Sequence, residues 1–370
     1  MSSPTPGLSK ADLSTPALLV DLDAFEANLR RMADHVAAAG VALRPHAKTH
    51  KCPEVARRQV ALGAVGISTA TVAEAEAMAA AGLPGVLLTS PIVDRGKVDR
   101  MVELKRRGGD VLLAVGHERE AELLDEAARS SGVTLDVLLD LDVGDRRLGV
   151  EPGEPARALA ARIGRCRALH LVGVQAYSGL ASHVVGHRAR RAFSEGVLGR
   201  AVDERERLAR DGFDARVLSV GSTGTYDIDS AIAGVTELQC GSYVFLDDEY
   251  RRIGSAGGAT SYDAFAPSLS VLATVVNVRD DLAIVDAGIK AFATDVPIDP
   301  GVIGRPGLAY KRRGDEFGQL TGPGELLPRI GERLEFNVPH CDPTVNLYDR
   351  LHAVRGDRVE AIWPVVARRE

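Results

Sequence analysis

Short apolar runs alternate with amphipathic segments over roughly the first two thirds of the chain. The apolar runs, rich in leucine and β-branched residues, are ALLVD (17–21), VALRP (41–45), AVGIS (64–68), GVLLTS (85–90), DVLLAV (110–115), LDVLLDLDVG (135–144), LHLVGVQAYSG (169–179), ARVLSVG (215–221) and TELQ (236–239). The segments between them, such as DAFEANLRRMADHVAAAG (23–40) and TVAEAEAMAAAG (71–82), have helical apolar spacing, and several end in glycine. At least eight alternations of strand and helix predict a (β/α)₈ barrel. A doubly wound open sheet is the alternative.

The pattern changes after residue 265, where strand-like runs follow one another with few helical segments between them. These runs are SLSVLATVVNV (268–278), LAIVDAGIKAFA (282–293), RLEFNVPH (333–340) and VEAIWPVV (359–366). Their connections are rich in glycine and proline. We therefore predict a barrel over residues 16–265 and a mostly β domain over residues 266–370. Residues 1–15 are predicted to belong to the β domain.

Composition narrows the class of protein. The chain has 370 residues, of which 45% are hydrophobic and 26% charged, and a net charge of −6 with both signs interspersed. Neither nucleic acid nor an anionic membrane is an expected partner. The apolar runs are too short to span a membrane, MSSPTPGLSK lacks the apolar core of a signal peptide, and the four cysteines form no C-x-x-C pair. A cytoplasmic protein with reduced thiols and a small-molecule partner is expected.

Polar side chains directly after the predicted barrel strands form the candidate site, because the chemistry of such barrels lies at the carboxyl ends of the strands. The second predicted strand leads into RPHAKTHK (44–51), which contains Lys48. Later strands lead to Arg147, to Tyr177 and then to His183. Taken alone, RPHAKTHK is also typical of a basic surface turn, Arg147 of a surface charge and His183 of a solvated loop histidine.

The segment GSTGTY (221–226), after the eighth predicted strand, is a candidate phosphate site. Its backbone N–H groups, the hydroxyls of Ser222 and Thr223 and a helix N-terminus suit an anion cradle, and barrels of this kind commonly bind phosphate there. A plain turn is the alternative. A lysine at one strand end and a phosphate cradle at another predict pyridoxal 5'-phosphate, with Lys48 forming its Schiff base and Arg147 contacting its phenolic oxygen.

An ordered set of motifs over nearly the whole chain resembles the D-threonine aldolase and D-serine dehydratase family, which shares the fold of alanine racemase. The motifs are TPALLVDLDAFEANL, RPHAKTHK, DVGDRRLGV, QAYSG, GSTGTY, TELQCGSYVF and VDAGIKA. The resemblance implies a fold type III pyridoxal-phosphate barrel with a C-terminal β domain, and Lys48 as the Schiff-base lysine. It also implies that residues of GSTG and GSY contact the phosphate, namely Ser222, Thr223, Gly224, Gly241, Ser242 and Tyr243.

The same resemblance implies a homodimer. In that dimer the β domain of one subunit helps to close the barrel mouth of the other, so that His340 and Asp342 face a lysine across the interface. Two positions depart from the family's pattern. Phe317 stands where many relatives have histidine, and Cys240 stands where proline is frequent.

The segment FNVPHCDPTVNLYD (336–349) carries the candidate metal ligands. His340 and Asp342 are two residues apart, so on an extended strand both point to one face and Cys341 points away. Imidazole and carboxylate suit a divalent cation. The resemblance implies such a metal, Mn²⁺ first, with Zn²⁺, Mg²⁺ or Co²⁺ as alternatives. It also discriminates within the family, because the dehydratases typically carry cysteine at the second ligand position and the aldolases aspartate.

These features predict an enzyme, a carbon–carbon lyase that reversibly cleaves D-threonine and other 3-hydroxy-D-amino acids to glycine and an aldehyde. The cation binds the substrate hydroxyl, His183 is the candidate base, and Tyr177 packs near the cofactor. One alternative is a dehydratase that eliminates the hydroxyl of D-serine or 3-hydroxy-D-aspartate. Another, from a different class, is a non-catalytic pyridoxal-phosphate carrier, which is disfavoured because such carriers resemble the barrel alone.

Overall fold

The computed structural model describes residues 7–369 and contains two eight-stranded sheets. The first strand of the chain is β1 (Ala17–Asp21). The strands of the parallel sheet are β2 (Ala42–Leu43), β3 (Ile67–Thr69), β4 (Val86–Leu88), β5 (Val111–Val115), β6 (Leu135–Leu141), β7 (Leu169–Ala176), β8 (Val217–Val220) and β9 (Glu237–Leu238). They lie in the order β2-β9-β8-β7-β6-β5-β4-β3, and each neighbouring pair is parallel.

Hydrogen bonds join the two ends of the parallel sheet. The Val65 amide donates to the Leu43 carbonyl at 2.9 Å, and the Ser68 amide donates to the Pro45 carbonyl at 2.9 Å. His46 and Ser68 also form a parallel bridge. The sheet therefore closes on itself, and the predicted (β/α)₈ barrel is confirmed.

Most of the helices connect the barrel strands, whereas α11 lies between two strands of the C-terminal sheet. They are α1 (Leu22–Ala39), α2 (Pro53–Ala61), α3 (Val72–Ala80), α4 (Arg95–Arg106), α5 (Glu118–Ser130), α6 (Glu154–Gly164), α7 (Gly179–Ser182), α8 (His187–Arg210), α9 (Tyr226–Asp229), α10 (Asp248–Arg251) and α11 (Cys341–Val345). Helix α1 is typical. The Asp21 carboxylate accepts the Ala24 amide at 2.9 Å, Gly40 ends the helix at a φ of 69°, and Phe25 and Met32 are buried on its inner face. None of the helices in residues 7–369 is long and apolar enough to cross a bilayer.

The remaining strands form the second sheet together with β1. They are β10 (Leu269–Val278), β11 (Leu282–Val285), β12 (Ala309–Arg312), β13 (Gly318–Thr321), β14 (Arg333–Asn337), β15 (Arg350–Arg355) and β16 (Arg358–Pro364). The predicted mostly β C-terminal region is thus confirmed. The amides of Gly7 and Lys10 donate to the carbonyls of Val359 (2.8 Å) and Asp357 (2.7 Å), so the N-terminal segment packs near β16. Residues 1–6 of the predicted N-terminal contribution lie outside the described range.

The segment ALLVD (17–21) is predicted as the first barrel strand, but it lies in the C-terminal sheet. There β1 lies between β10, which is antiparallel to it, and β15, which is parallel. Its four apolar residues are all buried, as expected of a central strand in either sheet, so the pattern does not distinguish between partners. The first barrel strand is β2, and Lys48 therefore follows the first barrel strand and not the second.

Candidate active site

A cavity of about 580 Å³ lies at the carboxyl ends of the barrel strands and is completed by residues from the C-terminal domain. Most of the predicted site residues line it, namely Lys48, Arg147, Tyr177, His183, Ser222, Thr223, Gly241, Ser242, His340 and Asp342. A single cavity of this size, shared by titratable side chains and small polar groups, is typical of a cofactor site. The structure thus brings together residues that are up to about 290 positions apart in the chain.

Two of the predicted phosphate contacts, Gly224 and Tyr243, are not among the residues that line the cavity. Tyr243 is buried, and its hydroxyl accepts a hydrogen bond from Gln59 Nε2 at 3.0 Å. Gly224 lies against the Ser182 carbonyl, where there is no room for a Cβ. Neighbouring residues of a turn point to different sides, so a contiguous motif does not place all its members in one pocket.

Lys48 lies in a single turn of 3₁₀ helix, Ala47–Thr49, that follows β2. Its Nζ is 3.8 Å from Asp342 Oδ1 and 5.9 Å from the centre of the Tyr177 ring. Burial acts to lower the pKa of Lys48, but Asp342 and Tyr177 outweigh it and leave this pKa above its ordinary value. Lys48 and Asp342 meet within one chain, so the expectation that the ligands face a lysine across a dimer interface is wrong.

Two other lysines that follow strand-like runs, Lys51 and Lys290, form contacts elsewhere. Lys51 Nζ is 3.2 Å from Glu74 and donates to Asn346 Oδ1 at 3.1 Å. Lys290 is exposed and forms an ion pair with Glu316 at 2.5 Å. Lys48 is therefore the one lysine among the described residues that line the cavity.

Arg147 and Tyr177 form one wall of the cavity. The Arg147 guanidinium carbon is 5.3 Å from the centre of the Tyr177 ring, which is within the range of a cation–π contact. The ring thus carries Arg147 on its face and has Lys48 nearby. This arrangement holds a fixed cation and an aromatic surface beside the candidate Schiff-base lysine.

Ser222 and Thr223 follow β8, and Gly241 approaches from the loop after β9. The Thr223 hydroxyl is buried and has no hydrogen-bond partner among the described residues, as expected of a group that a ligand satisfies. A Cβ on Gly241 would lie 2.7 Å from Thr49 Oγ1, so only glycine allows this close approach. The thiol of Cys240, which stands where relatives often have proline, donates to the Ser222 carbonyl at 3.1 Å and so supports the backbone of this turn. These residues fit the phosphate of pyridoxal phosphate.

A chain of hydrogen bonds behind Ser222 supports the phosphate-binding residues. The Ser222 amide donates to Thr225 Oγ1 at 3.3 Å, Thr225 Oγ1 donates to Asp229 Oδ2 at 2.5 Å, and the Ser194 hydroxyl donates to Asp229 Oδ1 at 2.5 Å. Burial raises the pKa of Asp229 to about 7 against these two hydroxyl contacts. The helix that follows, α9, has only four residues. These hydrogen bonds anchor the turn that carries Ser222 to the side chain of Asp229, and the phosphate contacts of this turn stay a prediction.

His340 and Asp342 line the same cavity, but the predicted reason was wrong. Strand β14 ends at Asn337, His340 is the extended residue before α11, and Asp342 lies in the first turn of that helix. His340 Nε2 is 3.9 Å from Asp342 Oδ2, and the Thr49 hydroxyl donates to that oxygen at 3.1 Å. Cys341, as predicted, points away and is fully buried.

The pair fits a divalent cation. Two ligand atoms bound to one ion at about 2.1 Å each lie about 3.0 to 3.4 Å apart at the usual coordination angles. The 3.9 Å between His340 Nε2 and Asp342 Oδ2 therefore needs only a small side-chain movement for both to bind one ion. Burial acts to lower the pKa of His340, but the carboxylates of Asp342, Asp247 and Asp295 outweigh it and raise this pKa. Surroundings that favour a positive imidazole also favour a cation. Within residues 7–369 no group of three or more His, Cys, Asp or Glu side chains is placed so that it could hold one metal ion. His340 and Asp342 are therefore the two side chains considered as metal ligands.

His183 lies just after α7, at the cavity wall. Its Nε2 is 3.6 Å from Glu249 Oε2 but has no hydrogen-bond partner within residues 7–369, and its ring centre is 4.5 Å from that of Tyr250. Burial lowers the pKa of His183, Glu249 partly counteracts this, and His340 and Lys48 lower the pKa further. A neutral imidazole at neutral pH can accept a proton, as the role of base requires.

Several polar residues of the site were not predicted from the sequence. Asp140 is the next-to-last residue of β6, and burial raises its pKa to about 6 while a hydrogen bond from Gln175 opposes the shift. The alternation of β6 was a signal that could have found it. Glu249 lies in an acidic run, which carries little information alone. Asp295 contacts His340 from an irregular loop, where no periodic pattern marks it.

Two family models match the chain. The model described as the N-terminal domain of alanine racemase matches residues 20–249, and a putative serine dehydratase domain matches residues 268–354. The first match covers more than half of the chain, and it agrees with the closed barrel and with Lys48 at its mouth. The fold and site therefore define a barrel protein of the alanine racemase type.

Similar proteins narrow this class. A D-threonine aldolase from Arthrobacter sp. is 37% identical over 98% of this chain and 95% of its own, and a 3-hydroxy-D-aspartate aldolase from Paracoccus denitrificans (strain Pd 1222) is 34% identical over 98% and 94%. A D-threo-3-hydroxyaspartate dehydratase from Delftia sp. (strain HT23) is 36% identical over 85% and 80%. The solved D-threonine aldolase of Filomicrobium marinum superposes with a TM-score of 0.92 at 38% identity over 99% of both chains. The chain belongs to the D-threonine aldolase and D-serine dehydratase family, as its motifs indicated.

Proposed function

We propose that this protein is a pyridoxal-phosphate- and divalent-metal-dependent aldolase that reversibly cleaves D-threonine and other 3-hydroxy-D-amino acids to glycine and an aldehyde. The observation that carries the proposal is the placement of Asp342, an oxygen ligand and not a cysteine, beside His340 and 3.8 Å from Lys48. The relatives that match nearly the full chain are named aldolases, which supports carbon–carbon bond cleavage.

The residues that would hold pyridoxal phosphate come from several strand ends and all line the one cavity. Lys48 provides the amine for its Schiff base, and Arg147 provides a cation for its phenolic oxygen beside the Tyr177 ring. The phosphate contacts are the hydroxyls and backbone of Ser222, Thr223, Gly241 and Ser242. When bound, the cofactor withdraws electrons from the bonds at the substrate's Cα.

His340 and Asp342 would hold the cation, for which we propose Mn²⁺. A divalent ion lowers the pKa of a hydroxyl that it binds. The two ligands come from the C-terminal domain and Lys48 comes from the barrel, and Lys48 Nζ lies 3.8 Å from Asp342 Oδ1, so both domains contribute to one substrate site. His183, kept neutral by burial, accepts the hydroxyl proton at an imidazole nitrogen. Glu249, 3.6 Å from His183 Nε2, stabilises the positive charge that the imidazole then carries.

The function is tested by incubating the protein with pyridoxal phosphate, Mn²⁺ and D-threonine and identifying the products. We expect glycine and acetaldehyde. A 2-oxo acid with ammonia would instead identify a dehydratase, the candidate favoured by the 36%-identical relative. No product from D-threonine, D-serine or 3-hydroxy-D-aspartate would contradict the proposed activity and favour a cofactor carrier.

We expect His183→Asn to lower kcat by about 10²- to 10⁴-fold, the usual contribution of a general base. Cofactor absorbance and Mn²⁺ binding should be retained, because His183 is assigned to neither site. The matched control is His187→Asn, since His187 pairs with Asp227 at 2.8 Å and is not among the cavity-lining residues. A His183→Asn enzyme that cleaves D-threonine at the wild-type rate would exclude this base.

We also propose a homodimer. Leu148 is 38% exposed although it lines the cavity, and Leu180, which follows the lining residue Gly179, is 59% exposed. Phe317, where many relatives have histidine, is also exposed. Apolar side chains beside a cavity mouth suit burial by a second copy in a large interface. Sedimentation velocity at assay concentration should give a dimer, and a fully active monomer would contradict the proposal.

We place the protein in the cytoplasm. Its four cysteines are buried and unpaired, which suits a reducing compartment. Detection of the protein in the soluble cytoplasmic fraction of its source cells is the expected result, and its recovery outside the cells would contradict this location.

A further inference from the structure

Asp295 lies against His340 on the side away from Asp342. The distance between His340 Nδ1 and Asp295 Oδ2 is 2.7 Å, whereas His340 Nε2 is 3.9 Å from Asp342 Oδ2. The two ring nitrogens of His340 therefore have different partners. One is within hydrogen-bond distance of a carboxylate, and the other faces the second candidate metal ligand.

We propose that Asp295 is a positioning residue for the metal site, which accepts the Nδ1 proton of His340 and so leaves the Nε2 lone pair directed at the cation. This inference rests on the proposed function, because it requires that His340 and Asp342 hold a divalent ion. A histidine that binds a metal through one nitrogen commonly donates the other N–H to a carboxylate, which sets the tautomer and increases the basicity of the ligand.

The Thr344 side chain links the backbone near Asp295 to the backbone of His340. The Thr344 hydroxyl donates to the His340 carbonyl at 2.7 Å and accepts the Ala293 amide at 3.0 Å. One buried side chain thus connects the loop that carries Asp295 to the start of α11. The distance between Asp295 and His340 is therefore set by packed backbone and not only by two mobile side chains.

A second anchor holds the same loop from the other side. Arg312 Nη2 donates to the carbonyls of Ala293 (2.9 Å) and Ile298 (3.1 Å), and Arg312 Nη1 donates to Asp299 Oδ1 at 2.7 Å. The segment that contains Asp295 is thus bound on both sides of this residue. Such preorganisation suits a group that orients a ligand.

The alternatives for this contact are weaker. Glu249 Oε2 is 4.0 Å from His340 Nδ1, which is too long for a hydrogen bond, so Asp295 is the closer carboxylate at that nitrogen. Asp295 is 46% exposed, and a carboxylate with that exposure adds little to stability through an ion pair. A role in orienting His340 therefore explains the contact better than a role in folding.

The test is the affinity of the pyridoxal-phosphate-loaded protein for Mn²⁺ alone, measured by the electron paramagnetic resonance signal of free Mn²⁺. We expect Asp295→Asn and Asp295→Ala to weaken binding by about 10- to 100-fold, while the cofactor absorbance and Tm stay near wild type. Asp295→Glu, which keeps the carboxylate, should bind more tightly than Asp295→Asn. The matched control is Asp349→Asn, which makes the same change at an exposed carboxylate that pairs with Arg368.

Wild-type Mn²⁺ affinity in Asp295→Asn, or equal weakening in Asp349→Asn, would overturn the inference and leave the proposed aldolase intact. A wild-type protein that binds no Mn²⁺ and cleaves D-threonine without metal would overturn the inference together with the metal-dependent function. Weakening that is confined to the Asp295 variants supports the positioning role, because a purely structural contact would not affect metal affinity separately from Tm and cofactor absorbance.

Discussion

Lys48→Ala should abolish the Schiff-base absorbance near the visible edge of the spectrum and lower the cleavage of D-threonine by several orders of magnitude. The expected effect is this large because Lys48 is the one lysine among the described residues that line the cavity. Its amine lies 3.8 Å from Asp342 and 5.9 Å from the Tyr177 ring centre, between the candidate metal and cofactor sites. Absorbance spectra after gel filtration of the loaded protein, together with an acetaldehyde assay, provide the measurement.

Two other lysines serve as controls for this result. Lys51→Ala removes the partner of Glu74, a buried carboxylate, so it should lower Tm but keep the Schiff-base absorbance. Lys290→Ala changes an exposed ion pair and should leave both Tm and absorbance nearly unchanged. An unchanged spectrum in Lys48→Ala would remove the basis of the proposed mechanism.

Removal of the divalent cation should lower D-threonine cleavage by several orders of magnitude and leave the Schiff-base absorbance intact. Cofactor binding is assigned to Lys48, Arg147 and the phosphate-binding residues, none of which requires the ion. Among the described residues that line the cavity, by contrast, no side chain is as strong an electrophile for the substrate hydroxyl as a divalent cation. Such an ion typically lowers the free energy of the transition state by several kcal/mol. Chelation followed by elemental analysis and product assay provides the measurement, and Mn²⁺ should restore activity. Undiminished cleavage by metal-free protein would contradict the proposal.

Substitutions at the two proposed metal ligands test separately whether the metal is required and whether the ligand type selects aldol cleavage over elimination. His340→Ala should reproduce the effect of chelation, since a single carboxylate is a poor site for a divalent cation. Asp342→Cys supplies the ligand type of the dehydratases, so we expect weaker aldol cleavage and some elimination from D-serine. Asp349→Asn, an exposed residue paired with Arg368 beyond the same helix, is the matched control and should retain metal and activity.

Most of the candidate site was predictable because barrel strands direct particular residues to one rim. The apolar runs located the strands, and Arg147, Tyr177 and Ser222 followed as the polar residues directly after three of them. The prediction failed for β1, whose buried run fits either sheet. Tyr243, predicted as a phosphate contact, lies in the short 3₁₀ turn Ser242–Val244, whose residues point in different directions, and its hydroxyl accepts a hydrogen bond from Gln59.

The pairing of His340 with Asp342 was predicted for an incorrect reason. Spacing by two suits a strand, but Asp342 lies in the first turn of α11. The two side chains still meet because an extended residue before a helix and a residue of its first turn can face the same side. The structure alone shows this, since the hydrogen bonds that begin α11 depend on Asp247, which accepts the Cys341 amide at 2.8 Å.

The sequence by itself determined the alternating architecture, the family and the types of chemical group that the protein carries to the barrel rim. These follow from local periodicity and from contiguous motifs, which depend on neighbouring residues in the chain. Only the tertiary structure decided that Lys48 meets Asp342 within one chain, that Thr223 has an unsatisfied hydroxyl and that Asp295 contacts His340. Such contacts join segments that are far apart in sequence, and their distances are set by how the C-terminal domain packs on the barrel, which no local pattern encodes.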